Sequence, residues 1–263
     1  MKIVVCVKHV PDAQGDRRFA GDGTVDRAGV DGLLSELDEY AVEEALKLSE
    51  ANDGSTVTVV TVGPDGASDA VRKSLQMGAD AGVHVVDDAL HGSDAFATSL
   101  VLAKAIATLE YDVVITGMAS TDAGMSVVPA LVADRLGLPQ VTFAGSLSIE
   151  GDGPGAKVVI ERDGDAFTEV VEAALPALVS VTDQINEPRY PSFKGIMAAK
   201  KKPVTTLSLA DLGVSADEVG LGAAWTSVAG VTQRPPRAAG TVVTDEGDGG
   251  AKLVEFLAGA KLV

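Results

Sequence analysis

The sequence predicts an α/β protein built on a mostly parallel sheet, with an antiparallel meander and a C-terminal arm added to it. Three observations carry this. Short β-branched runs alternate with helical patterns in the first half. Alternating segments separated by Gly and Asp turns follow residue 140. Little periodic patterning remains after residue 186. Strands that alternate with helices make βαβ units, and their near-continuous apolar character means that both faces of the sheet are covered.

In chain order, residues 2–7 (KIVVCV), 56–62 (TVTVVTV), 82–86 (GVHVV) and 112–117 (DVVITG) read as parallel strands. Residues 36–49, 67–77 and 93–109 read as the helices between them. The first helix is well specified: Ser35 and Asp38 stand at capping-box spacing, and Leu37, Ala41, Ala45 and Leu48 line one face. Residues 117–128 (GMASTDAGMSVV) lead into a further helix. Past Gly137-Leu138-Pro139, residues 141–149, 158–162 and 168–174 read as an antiparallel meander, and 175–181 (LPALVSV) as a buried strand. From Asn186 no core pattern returns until a short helix at 252–262; clusters such as Gln233-Arg234-Pro235-Pro236-Arg237 lie between.

A chain of 263 residues, 46% hydrophobic and 22% charged, suits one large α/β domain or one domain with an elaborated tail. No apolar run approaches the ~20 residues that cross a bilayer, so no membrane insertion is expected. The opening MKIVVCVKHVPD reads as a first strand and not a signal peptide. A single cysteine, Cys6, leaves no internal disulfide and fits a reducing cytoplasm. With 21 Lys+Arg against 38 Asp+Glu the net charge is −17, which keeps the chain soluble and argues against nucleic acid or anionic lipid as partner. Residues 188–210 contain no acid and carry Arg189, Lys194, Lys200, Lys201 and Lys202, a basic island on an acidic chain. One Trp, three Tyr and six Phe are too few for a stacking platform, so a planar cofactor would lean on another subunit.

The sequence contains no Gly-rich dinucleotide fingerprint, P-loop or GxSxG elbow, and no catalytic or metal-ligating set is expected. His84 sits in an apolar strand and reads as packed; His9, after the first strand, has two readings, a pocket-lining or a solvated loop residue, and Cys6 reads as buried and structural. A ligand crevice is expected beyond the strand carboxyl ends, where four segments converge: Cys6-Val7-Lys8, residues 35–38, Val62-Gly63-Pro64 and residues 117–128. The last offers small residues, the hydroxyls of Ser120, Thr121 and Ser126, and a helix start whose N–H groups suit a phosphate. Glu36, Asp38 and Glu39 crowd the other helix start, which suits ribose or base instead. A nucleoside monophosphate fits this division, although a capped helix after a Gly-containing turn is also an ordinary helix start. In 186–202 (NEPRYPSFKGIMAAKKK), Tyr190, Phe193, Ile196 and Met197 have two readings: a docking feature, or apolar pins that hold a surface helix to the core.

Taken together, VCVKHVPD, LDEYAVEEALKL, KSLQMGAD, PQVTFA, LPALVSVTDQINEPRYPSF and IMAAKKK resemble the β subunit of electron transfer flavoprotein over essentially the whole chain. The resemblance implies a Rossmann-like three-layer αβα fold of the adenine nucleotide alpha hydrolase-like type. It divides the chain into a nucleotide-binding domain at 1–185, a partner-recognition loop at 186–203 and an arm on the α subunit at 204–263. It implies a heterodimeric electron carrier, not itself an enzyme. FAD held mainly by the α subunit would take electrons from acyl-CoA and other dehydrogenases, as in fatty acid oxidation, and pass them to a quinone-linked oxidoreductase or another acceptor.

The same resemblance implies a structural AMP in this subunit. The contacts carry over to Cys6, Ser35, Glu36, Leu37, Asp38 and Val62, and to Gly117, Met118, Ala119, Ser120, Thr121, Asp122, Ala123, Gly124, Met125, Ser126, Val127 and Val128. Docking carries over to Arg189, Tyr190, Phe193, Ile196, Met197, Lys200, Lys201 and Lys202, with Phe193 as hydrophobic anchor where other members often have leucine. Leu37 would approach the flavin, and Asp163 would meet an arginine of the α subunit. Ser35-Glu36 stands where many members have Asn-Pro, and Val127 where a Gln is frequent, which leaves fewer side-chain contacts to phosphate. Bifurcating relatives hold a second FAD in place of AMP, and a stand-alone adenine-nucleotide sensor of related fold is the other alternative.

Overall fold

A computed structural model describes residues 1–15, 18–232, 234–240 and 242–263; Gln233 of the Pro/Arg cluster lies outside them. The elements, in order, are β1 (Lys2–Cys6), β2 (His9–Pro11), β3 (Gly32–Leu34), α1 (Glu36–Ala51), β4 (Thr56–Val62), α2 (Ser68–Met77), β5 (Ala81–Val85), α3 (Ala95–Ile106), β6 (Val113–Gly117) and α4 (Val128–Leu136). There follow β7 (Gln140–Ala144), β8 (Ser146–Glu150), β9 (Lys157–Asp163), β10 (Thr168–Ala174), β11 (Ala177–Val181), α5 (Phe193–Ala199), β12 (Val204–Leu207), α6 (Gly220–Ala223) and α7 (Gly249–Gly259).

Seven strands form one sheet in the order β12-β5-β4-β1-β6-β11-β7, and every pairing in it is parallel. β1 shows why its strand is apolar throughout. Ile3 and Val5 face a core shared with α1 and α2, while Val4 and Cys6 face a second core under α3 and α4. The result is the Rossmann-like three-layer αβα arrangement. β8, β9 and β10 make the antiparallel meander, whose Val158 and Ile160 close the α1/α2 side.

The structure redraws several boundaries. Residues 141–149 are not one meander strand: β7 joins the parallel sheet beside β11, Gly145 intervenes, and β8 starts the meander. Phe143 has a positive φ of 62° and donates its N–H to Ser180 Oγ at 3.0 Å, opposite a bulge between Val179 and Val181. Helix α3 begins at Ala95, not 93, because the Asp94 carboxylate accepts from Phe96 and Ala97 N–H and caps it there. The hairpin β2–β3 and the edge strand β12 have no counterpart in the sequence reading. The core also runs past residue 203: β12 pairs with β5, and Leu209, Leu212, Val214 and Val219 are buried in the α3/α4 core. The compact units are Met1–Ala229 and Gly230–Val263, the latter containing α7, three residues earlier than the 252–262 expected. Among the described residues no helix is long and apolar enough to cross a membrane.

Candidate functional site

β1 lies between β4 and β6, and the chain leaves these central strands to opposite sides of the sheet. Such a switch opens a crevice at the strand carboxyl ends. Three segments are knitted together there. Ser35 N–H donates to the Lys8 carbonyl at 2.8 Å, and Lys8 N–H donates to Asp38 Oδ2 at 2.8 Å. Thr121 N–H donates to Ser35 Oγ at 3.3 Å. Gly117 closes the set, since a Cβ there would lie 2.6 Å from Asp38 Oδ1 and 2.8 Å from the Leu37 carbonyl. The capping box expected from Ser35 and Asp38 therefore does not form, and α1 has no side-chain cap. Both side chains serve neighbouring loops instead of their own helix.

The loop after β6 is organised by charge. Lys8 Nζ stands 2.8 Å from Asp122 Oδ1 and 3.3 Å from Ser120 Oγ. Arg27 Nη2 stands 2.7 Å from Asp122 Oδ2, while its Nη1 donates to the His9 carbonyl at 3.1 Å. The Asp122 side chain is only 4% exposed. Burial pushes its carboxyl up, but Lys8 with hydrogen bonds from Lys8, Ser120 and Arg27 outweighs this and holds it well below the ordinary carboxylate range. Beyond it Gly124 N–H turns back to the Ser120 carbonyl at 2.9 Å. The backbone then changes hand, with φ of 56° at Ser126 and −98° at Val127. Such a reversal gathers successive N–H groups into a concavity for an anion. Among the described residues the N–H groups of Met125, Ser126 and Val127 have no protein acceptor, and no side chain caps α4. Open donors, the Ser120 and Ser126 hydroxyls and a positive helix end fit a phosphate.

The remaining predicted contacts surround this loop unevenly. Leu37 and Val62 are half-buried at the rim, as are Met118 and Ala119; Glu36, Ala123, Gly124, Met125 and Val127 are exposed. Asp38 is buried, and that burial pushes its carboxyl up to about 7 despite the hydrogen bonds from Lys8 and Gly117 main chain. Cys6 is buried, and burial followed by the charge of Asp38 pushes its thiol up to about 12, so it is no nucleophile at neutral pH. His84 is packed and holds the Gly63 carbonyl at 3.0 Å after β4. Sequence reasoning missed Arg27, which lies in the irregular 12–31 stretch where neither periodicity nor motif marks it.

At the basic island the structure separates residues that the sequence groups. Arg189 forms ion pairs with Glu43 (2.7 Å) and Glu50 of α1, and Asn186 Nδ2 donates to the Tyr40 carbonyl and to Glu44, both at 3.0 Å. Lys202 Nζ donates to the carbonyls of Leu75, Gly78 and Ala79 and so closes the C-terminal end of α2. Arg189 and Lys202 thus fasten the segment. Between them α5, capped by Ser192, meets α2 through Gly195, where a Cβ would lie 2.5 Å from the Gln76 carbonyl, and through buried Ala199. Phe193, Ile196 and Met197 point the other way: Phe193 is 80% exposed and Tyr190 92%. Small residues, not these apolar ones, pin the helix. Lys194, Lys200 and Lys201 are exposed around it. Asp163, exposed at the end of β9, accepts from Thr168 Oγ1 at 2.6 Å.

Fold and site together define a Rossmann-like α/β protein with a loop of open N–H groups at the switch point of its parallel sheet. Comparison with known proteins narrows the class. The family model for the electron transfer flavoprotein domain matches residues 22–212. Electron transfer flavoprotein subunit beta of Mycobacterium leprae (strain TN) is 50% identical over 99% of both chains. That of Megasphaera elsdenii is 34% identical over 97% of this chain and 96% of its own. A caffeyl-CoA reductase-Etf complex subunit, CarD, of Acetobacterium woodii is 36% identical over 93% and 92%. The chain belongs to the electron transfer flavoprotein beta-subunit family.

Proposed function

We propose that this chain pairs with a flavin-carrying α subunit, holds AMP at the carboxyl edge of its sheet, and presents α5 to acyl-CoA and other dehydrogenases. The observation that carries the AMP reading is the triplet of open N–H groups at Met125, Ser126 and Val127 before uncapped α4. Three donors that meet no acceptor among the described residues are costly unless water or a ligand meets them. Backbone donors also compensate for Val127 standing where a Gln is frequent.

FAD, held mainly by the α subunit, supplies the redox chemistry; this chain supplies placement. Residues 118–128 hold the phosphate end, and the acidic start of α1 faces ribose or base. Leu37, at the rim, approaches the flavin side, and Asp163 meets the α subunit. Phe193 enters an apolar pocket on the dehydrogenase, with Tyr190, Ile196 and Met197 beside it and Lys200 and Lys201 steering an acidic partner. Electrons then pass to a quinone-linked oxidoreductase or another acceptor in the cytoplasm.

The test is to purify the chain with its α subunit, release the ligands and identify them chromatographically. One AMP and one FAD per heterodimer is expected. Two FAD and no AMP would replace the AMP reading with that of a bifurcating complex. A chain that purifies alone with adenine nucleotide would overturn the heterodimer.

A further inference from the structure

Residues 12–31 leave the sheet between β2 and β3 and return to it, and the described part of this excursion is fastened at three heights. At its base Asp12 N–H donates to the Asp31 carbonyl at 3.0 Å. At its tip Asp22 meets His91 Nε2 at 2.7 Å. Between them Arg27 reaches both the His9 carbonyl and Asp122. The last contact is unlike an ordinary surface pair, because the Asp122 carboxylate is nearly fully buried and lies within the loop that offers N–H groups to an anion. A bare carboxylate there repels a phosphate. With Lys8 and Arg27 both on it, the three groups sum to one net positive charge.

We propose that Arg27, with Lys8, is a positioning residue for the nucleotide loop: the two cations neutralise the Asp122 carboxylate, which left bare would repel the phosphate of a nucleoside monophosphate at residues 118–128. Arg27 needs no contact with the nucleotide. It acts through Asp122, and because it rides on the 12–31 excursion it straps that excursion across the loop. The proposal rests on the reading that this edge of the sheet binds AMP.

The experiment uses the full heterodimer loaded with radiolabelled AMP and chased with unlabelled AMP. Label that the unmodified complex never takes up or retains would overturn the nucleotide reading itself, before any variant is compared. Given retention, Arg27→Gln is expected to release AMP about tenfold faster, the scale of losing one charge-assisted contact. Arg27→Lys should stay within about threefold of the unmodified complex, since the charge is kept. The double variant Arg27→Gln/Asp122→Asn should release AMP more slowly than Arg27→Gln alone, because the carboxylate that needed neutralising is gone. An excursion that serves only to fold the loop would leave the double variant as leaky as the single one, and that result would overturn the proposal. So would an unchanged release rate in Arg27→Gln.

Discussion

Replacing Phe193 by alanine separates docking from folding at α5. The ring is 80% exposed in the free chain, and the contacts that seat the helix are made by Gly195 and Ala199. Full burial of a Phe side chain stabilises by about 1.5–3 kcal/mol, so covering the exposed four-fifths on docking contributes about 1–2.5 kcal/mol. Phe193→Ala should therefore lower kcat/KM for flavin reduction by a cognate dehydrogenase about 5- to 60-fold. Stability of the chain should change by no more than about 0.5 kcal/mol, as for other exposed positions. Flavin absorbance during reduction gives the first quantity and a denaturant titration of the same preparation the second. Bound nucleotide should be unaffected. Unchanged reduction kinetics would refute the anchor, and a loss of rate matched by a loss of stability would mean that the ring pins the helix after all. Gly195→Ala is the informative contrast: its Cβ would stand 2.5 Å from the Gln76 carbonyl, so the helix must shift and docking should fail with Phe193 still present.

Two further outcomes concern stability. Arg189→Ala strands Glu43, whose side chain is 8% exposed and 2.7 Å from the guanidinium; a cost of about 2 kcal/mol should lower Tm by about 4–8 °C, part of it recovered by adding Glu43→Gln. Asp38 has its carboxyl raised to about 7 in the fold from an ordinary 3.8, so between these values the folded chain binds more protons than the unfolded one and stability falls as pH rises. Measured from pH 5 to 8, the stability of the unmodified chain relative to Asp38→Asn should decline until about pH 7 and then level; a difference independent of pH would show that Asp38 stays ionised.

The central sheet was legible because β1, β4, β5 and β6 are apolar on both faces, and that pattern survives whatever packs outside. Strand β12 was not, because three of its four residues, Val204, Thr205 and Thr206, are exposed at the sheet edge and carry no periodic signal. The break at Gly145 was hidden because β7 and β8 both alternate, and only the positive φ at Phe143 and the bulge opposite it divide them. At the candidate site, the ends of β1 and β6 and the start of α1 meet as the sequence expects, since that follows from strand order. Composition could not sort cations by partner. It counted Arg189 and Lys202 with Lys200 and Lys201 in one basic island, whereas the first two hold Glu43, Glu50 and three carbonyls of the α2 end.

Ser35 and Asp38 show why the site resists local rules. Their spacing matches a capping box, and forming one would have satisfied the start of α1 from within its own sequence. Instead the hydroxyl takes Thr121 N–H, the carboxylate takes Lys8 N–H, and α1 begins uncapped with three acids in its first turn. The helix gives up a contribution of about 1 kcal/mol. In return the ends of β1 and β6 and the start of α1 are tied together without any ligand, with Gly117 admitted only because it has no Cβ to meet Asp38. The loop at 118–128 is therefore placed by the protein's own hydrogen bonds and ion pairs, with its open N–H groups already ordered. Local propensity is overridden where the strand ends must act as one surface.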